Sequence, residues 1–367
     1  MKNVGIIGAG IFGCSAALEL ANRGFKVTIF DGMNNILEGA STINHLRHHY
    51  GFHYPRSRDT VNEVKVARVS FEAEYGTAIS HFFDDYYGVS KVNSKTTPED
   101  FIKFCDNMGL PYEIAWPEEK YMNRSKVGTC VKTPERVYDP DILRGLILKR
   151  IRNTQSTEFP IDLRLNHKIV AGRKSGNKKI LVSLVGNRKI EYSFDILINA
   201  TYSNFNNFNK WFDFPRKKLL YELVELIEIY VPNTKKIGLT IMDGEFSAVL
   251  PRGEKGTFTL GHVRESVLKA IVSDDLDCVK DATENTQSNH EKILLEGIND
   301  FPFLKDAEFV KSLFITRVVK PYVDATDERP SEITNYGDGM YSIFGGKVIT
   351  SIEIAKKISD LIEKETK

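Results

Sequence analysis

The run Val4-Gly5-Ile6-Ile7-Gly8-Ala9-Gly10-Ile11-Phe12-Gly13, a helical segment, and then Val27-Thr28-Ile29-Phe30-Asp31 leave this chain few ways to fold. Val4 to Ile7 reads as a buried strand. Gly8 permits a tight turn, Gly10 lets the backbone approach a pyrophosphate, and Gly13 lets the following helix pack closely on the sheet. That helix, from Ile11 to Arg23, aims its first amides at the phosphates, with Ile11 and Phe12 in its opening turn. Gly24 stops it and a second strand follows. Asp31 closes that strand, where its carboxylate can accept both hydroxyls of an adenosine ribose and disfavours a 2′-phosphate. Strand, glycines, helix and acid in this order predict a cradle for an adenine dinucleotide. At this point NAD and FAD both remain open.

With 367 residues the chain fits two lobes, each with its own core. Its formal net charge of +1, with no basic helix or tail, argues against a nucleic-acid partner. Cys14, Cys105, Cys130 and Cys278 lack disulfide or metal spacing and read as reduced thiols, so no metal site is expected. The first strand begins almost at Met1, which leaves no signal peptide in this sequence, and no apolar run nears the roughly 20 residues of a membrane span. The expected setting is cytoplasmic.

Helical apolar spacing marks Asp59 to Tyr75. Phe82 to Tyr87 reads as a strand and Gly88 to Val92 as the turn after it. Pro98 to Gly109 reads as a helix with a Thr-Pro start, and Asp141 to Arg152 as another, capped by Asp139 with Pro140 in its first turn. A β-rich stretch covers Ile161 to Tyr192, with turns at 176–177 and 186–187, and Phe194 to Thr201 holds a short buried strand. Leu220 to Val231, Gly238 to Met242 and Thr257 to Val263 read as further strands. The polar stretch Asp274 to Asn289 reads as an exposed loop before a helix at His290 to Gly297. At the C-terminus, Met340 to Phe344 is a strand, Gly345-Gly346 a tight turn, and Val348 to Lys364 an amphipathic helix.

Four stretches carry a family resemblance. The loop Gly39 to Ser57, with Ser41, Asn44, His49, Gly51 and Tyr54 in matching positions, is similar to the second motif of the D-amino-acid-oxidase-like FAD-dependent oxidoreductases. That superfamily includes glycine and sarcosine oxidases, 2-hydroxyglutarate oxidase and glycerol-3-phosphate dehydrogenase. Val137-Tyr138-Asp139-Pro140 resembles the family's helix start, and Leu197-Ile198-Asn199-Ala200-Thr201-Tyr202 its strand beside the cofactor. Phe344-Gly345-Gly346-Lys347-Val348-Ile349-Thr350 resembles its C-terminal element, in the form closest to glycerol-3-phosphate dehydrogenases. Tyr202-Ser203 stands where the family carries glycine. The segment Gly238 to Pro251 looks most like bacterial members of the group.

The resemblance implies an α/β chain: a Rossmann-type FAD-binding domain (1–80, 137–215 and 312–367) interleaved with an α+β substrate domain built on an antiparallel sheet (81–136 and 216–311). It implies FAD held by Gly8, Gly10, Ile11, Phe12, Gly13, Asp31, Ser41, Asn44, His49, Ala200, Gly345, Gly346, Lys347 and Val348. No cysteine lies where sarcosine oxidases attach flavin, so the cofactor is expected to be non-covalent; the other route is a histidyl link through His45, His48, His49 or His53. His49 is the candidate proton acceptor, and Arg317 the candidate clamp for a substrate anion, against the alternative of a structural ion pair. His262 and Arg264, two apart on a strand, would complete a basic pocket if they face the flavin and do nothing if they face solvent. Arg47 and Arg56 flank the histidine loop as binding or surface charges, and Arg58 reads as a surface charge.

The expected activity is removal of a hydride from a CH–NH carbon of a small anionic, amino-acid-like or sugar-linked substrate, with oxygen or another acceptor downstream. Oxidation of a CH–OH carbon, as in a 2-hydroxy acid or glycerol phosphate, is the alternative. A redox-silent FAD-fold binder and an NAD-dependent dehydrogenase are disfavoured, because the flavin-facing loops accompany the nucleotide cradle.

Overall fold

In the computed structural model, residues 2–80, 83–253, 256–275, 277, 286–322 and 331–366 are described. Phe82, Cys278 and most of the loop expected over 274–289 lie outside them.

The first strand, Asn3–Ile7, sits inside a six-stranded sheet ordered Ser331–Asn335, Met340–Gly345, Ile196–Asn199, Asn3–Ile7, Lys26–Phe30, Asp162–Arg164. All neighbours are parallel except the outer Ser331–Asn335 strand. Continuous apolar strands such as Val4-Gly5-Ile6-Ile7 are what a sheet covered on both faces requires. The helix Ile11–Asn22 buries Gly13, Cys14, Ala16, Ala17 and Ala21, and these small residues let it lie close between the sheet and the C-terminal helix Ser351–Thr366. Ile354, Ile358 and Ile362 of that last helix join the same core, each worth about 1.5–3 kcal/mol when fully buried.

A three-stranded meander (Lys168–Ser175, Lys178–Val185, Arg188–Phe194) leans on this lobe. The second large sheet has nine strands: eight run from Val267–Ser273 through Leu219–Tyr230, Thr257–His262, Ser247–Arg252, Ile237–Met242, Asp84–Ser90 and Val127–Thr133 to Glu113–Ile114, and the ninth, Glu308–Val319, pairs with Leu219–Tyr230. It is mostly antiparallel, but Asp84–Ser90 and Ile237–Met242 run parallel. The chain is thus a mixed α/β fold with one parallel and one largely antiparallel sheet.

Four expectations are corrected. Gly88 does not begin a turn: it lies inside the strand Asp84–Ser90, where an added Cβ would sit 2.9 Å from Val127, so glycine serves close packing there. The boundary expected at 312 falls within a strand, Glu308–Val319, that ladders along its length onto Leu219–Tyr230. His262 and Arg264 do not share a strand face, because the strand Thr257–His262 ends at the histidine. The C-terminal helix is preceded by a 3-10 turn at Val348–Thr350 rather than starting at Val348. The caps expected at Thr97 and Asp139 are present: Thr97 accepts from the Asp100 amide, and Asp139 from those of Asp141 and Ile142. Among the described residues no helix is long and apolar enough to cross a membrane.

Candidate active site

The carboxyl ends of the parallel strands and one face of the nine-stranded sheet enclose a cavity of about 980 Å³, at the upper end of the roughly 300–1,000 Å³ common for ligand sites. One end is the glycine turn. Gly8 has φ +103°, and an added Cβ would lie 2.6 Å from the Ala200 carbonyl oxygen. At Gly13 the clash is internal: a Cβ would stand 1.9 Å from the Gly8 carbonyl oxygen. Gly10 is different. Its missing Cβ meets only Ser41 Oγ, at 3.5 Å, and the residue lines the open cavity beside Ile11 and Phe12. That open space at a helix N-terminus is the shape a pyrophosphate needs. Asp31 lies at the same end; its carboxylate accepts from the Ala9 amide (2.7 Å) and the Met33 amide (2.9 Å). Ser41 Oγ accepts from the Ile11 amide at 3.0 Å.

Ala200, Gly345, Gly346, Lys347 and Val348 also line the cavity, Ala200 beside Gly8 and Gly346 beside Phe12. Gly345 and Gly346 both have positive φ, and a Cβ on Gly346 would strike Ser331 and Phe12. The Lys347 ammonium is nearly buried and lies 4.0 Å from the centre of the Tyr54 ring. Asn44 also lines the cavity, but its amide is committed to the loop: it donates to the Ala40 carbonyl and Tyr138 Oη and accepts from the Leu46 amide. The residues present therefore fit a dinucleotide: a bare glycine turn at a helix N-terminus, with the second glycine element, Gly345-Gly346, next to it.

The histidine loop fills the centre. His45, His49 and His53 line the cavity, whereas His48 packs away from it against Tyr50 and Phe71. Burial, reinforced by the charges of Lys347, Arg47, His53 and His48, holds His49 well below the ordinary imidazole value. Burial and the Arg47, His53, Arg317 and Arg252 charges do the same to His45. Both rings are thus neutral at pH 7 and able to accept a proton. Neither Nδ1 has a hydrogen-bond partner among the described residues.

Beneath this loop lies a buried polar network. Arg47 donates to Tyr87 Oη (2.8 Å), Thr240 Oγ1 (2.6 Å) and Glu135 Oε1 (3.3 Å). Tyr87 Oη also donates to Glu135 Oε1, and the Tyr50 amide to its Oε2. Glu135 Oε1 stands 3.7 Å from His49 Nδ1. Next to them, burial and the Glu135 charge push the Asp85 carboxyl up to about 7. Arg47 is consequently a core charge, not a surface one. Arg56 pairs through two nitrogens with Asp243, and Arg58 is exposed.

On the side of the nine-stranded sheet, Arg317 lines the cavity and donates through Nε to Glu222 Oε2 at 2.7 Å. Its terminal nitrogens have no hydrogen-bond partner among the described residues. The ion pair given as the alternative for Arg317 is present, and the residue also lines the cavity. His262 is buried on the cavity wall, with Nδ1 accepting from the Glu265 amide, which places its ring proton on Nε2. Arg264 instead reaches solvent and pairs with Glu245 and Glu265.

Sequence reasoning missed Glu135, Tyr87, Thr240 and Tyr202. Glu135 lies two residues before the Val137–Pro140 motif, and an isolated acid in a loop leaves no periodic trace. Tyr202 was noted only as a departure from glycine.

Known proteins share this fold. Residues 3–125 match the family of FAD dependent oxidoreductases (DAO). The chain is 24% identical to the FAD-dependent monooxygenase FPY4 of Fusarium mangiferae over 368 residues, covering 99% of this chain and 92% of that protein. Among solved structures, glycine oxidase from Geobacillus kaustophilus superposes with a TM-score of 0.74 at 14% identity, covering 99% of this chain and 95% of that one. The dithionite-reduced L-alpha-glycerophosphate oxidase from Mycoplasma pneumoniae, with FAD bound, gives a TM-score of 0.75 at 13% identity, covering 99% and 94%. FPY4 is fungal, so this match does not support the likeness of Gly238 to Pro251 to bacterial members of the group.

Proposed function

We propose that this chain, whose residues 3–125 match the family of FAD dependent oxidoreductases (DAO), is an FAD-dependent enzyme that oxidises a small anionic substrate at a CH–NH carbon. The observation that carries this reading is the meeting of neutral His49 and cationic Arg317 in one cavity with the glycine-lined cradle. Bound FAD supplies the two-electron acceptor; the protein must hold the substrate carbon in place and take a proton from nitrogen. Arg317 offers its terminal nitrogens to a carboxylate or phosphate. His49 is placed to receive the proton that the amine gives up. The glycine oxidase likeness supports an amine, while the glycerophosphate oxidase likeness supports the CH–OH alternative.

The test is an anaerobic visible spectrum of the holoprotein with amino acids, 2-hydroxy acids and glycerol phosphate added in turn. Bleaching by amino acids alone supports the reading; bleaching only by hydroxy compounds replaces it. The fungal relative's name favours a second reading, monooxygenation. On readmitting labelled oxygen, label in the organic product would establish that reading, and hydrogen peroxide formed with no label in the organic product would exclude it.

Replacing Arg317 by Ala should raise KM by about 10²-fold, as expected for loss of a charge-assisted contact of roughly 1.5–3 kcal/mol, with FAD affinity little changed. An unchanged KM leaves Arg317 as the structural partner of Glu222. For His49 the sign is fixed by its lowered pKa. Proton acceptance needs the neutral ring, which persists below pH 6.5, so kcat/KM should fall only as pH drops beneath that value. His49→Gln should be slow and lack this acid limb. A limb that survives the substitution assigns the base elsewhere.

A further inference from the structure

We propose that Tyr202 is a positioning residue that locks the end of the Glu308–Val319 strand and thereby fixes Arg317 for an anionic substrate, an inference that rests on the anion-binding reading above. The strand ladders onto Leu219–Tyr230, with Arg317 opposite Glu222 and Val318 opposite Tyr221. In an antiparallel pair, successive residues turn their N–H and C=O alternately toward the partner and away from it. At Val318 both groups are taken by one phenol. Tyr202 Oη accepts from the Val318 amide at 3.0 Å and donates to its carbonyl at 3.3 Å. A hydroxyl can do both at once, so the side chain takes the place of a neighbouring strand on the outer edge.

Two further observations support a dedicated role. Val318 is only 2% exposed, so its backbone groups have little access to water if the phenol is removed. Tyr202 also holds φ +53°, the left-handed region that glycine enters freely and tyrosine rarely does. Its ring packs on the cluster of Phe205, Leu223, Val318 and Phe344, which holds it in that conformation. Arg317 is therefore restrained twice, at its head by Glu222 and through its backbone neighbour by Tyr202. Its remaining nitrogens keep one direction, toward the cavity, before substrate arrives. Such preorganisation strengthens anion binding without adding a contact.

The test uses the FAD-loaded protein with acetate and benzoate as probes and acetamide and benzamide as their neutral counterparts. Binding is followed by flavin absorbance and by titration calorimetry. Tyr202→Phe should weaken both carboxylates about tenfold, leave the amides unchanged and retain FAD. Tyr202→Gly removes the latch and the left-handed strain together, so it should fold well and show the same selective loss. Unchanged carboxylate affinity in these variants, or equal loss for the amides, overturns the positioning role. Arg317→Ala separates the two readings. If it abolishes the carboxylate preference while Tyr202→Phe does not, the positioning role alone fails. If it has no effect, or if the wild-type protein binds neither carboxylate, the anion-binding reading fails and this inference with it.

Discussion

Gly13→Ala should yield a protein that fails to hold FAD because its nucleotide turn cannot close. The added methyl would stand 1.9 Å from the Gly8 carbonyl oxygen, a backbone atom that cannot move aside without breaking the turn. The cost exceeds the roughly 1–3 kcal/mol usual for overpacking a core, and it falls on the helix Ile11–Asn22, which is buried almost all round. Gly10→Ala separates folding from binding. Its methyl meets nothing nearer than Ser41 Oγ at 3.5 Å, so the apoprotein should fold normally and lose cofactor affinity only because the pyrophosphate side of the turn is filled. Circular dichroism and bound-flavin absorbance of the two variants check both statements. A yellow Gly13→Ala protein, or a Gly10→Ala protein that binds FAD as well as the wild type, would show that the turn is not the cradle.

The second large effect is expected at Glu135, which is fully buried and holds Arg47, Tyr87 and the Tyr50 amide. Glu135→Ala removes one partner of a buried pair and strands the Arg47 guanidinium, a change that costs about 3–5 kcal/mol. Asp85 limits the damage. Its carboxyl is held up to about 7 by burial and by Glu135 itself, and it ionises more readily beside Arg47 once Glu135 is gone. The loss should therefore fall at the lower end of that range. Glu135→Gln keeps the acceptor for the Tyr50 amide and should lose less. Removing both charges, as Arg47→Met with Glu135→Ala, should be less damaging than the sum of the single changes, since no charge is then left unpaired. Urea unfolding of the four proteins gives the cycle; strict additivity would show that the pair is not energetically coupled.

The parallel sheet and its nucleotide end were legible in the sequence because each depends on neighbours along the chain. Gly8, Gly10 and Gly13 act through a turn of six residues, and Asp31 is set by one strand after one helix. The caps at Thr97 and Asp139 are local in the same way. Gly88 misled because a glycine needed for packing against Val127, across a strand pair, has the same letter as a turn glycine. The strand Glu308–Val319 escaped notice because its first residues are exposed on both faces and show no alternation.

The candidate site divides along the same line. Neighbouring residues alone specify the dinucleotide cradle and the histidine-rich loop beside it, since both are runs of adjacent residues whose geometry the backbone enforces. Which charges meet is set by the folding of distant segments onto one another. This folding brought Arg47 from the loop to Glu135, Tyr87 and Thr240, sent Arg264 to solvent while keeping His262 on the cavity wall, and set the Tyr202 phenol on Val318 beside Arg317. These partners lie dozens to more than a hundred residues apart. Their electrostatics depend on burial and on distances of a few ångströms, which are fixed only when the two sheets close on one cavity.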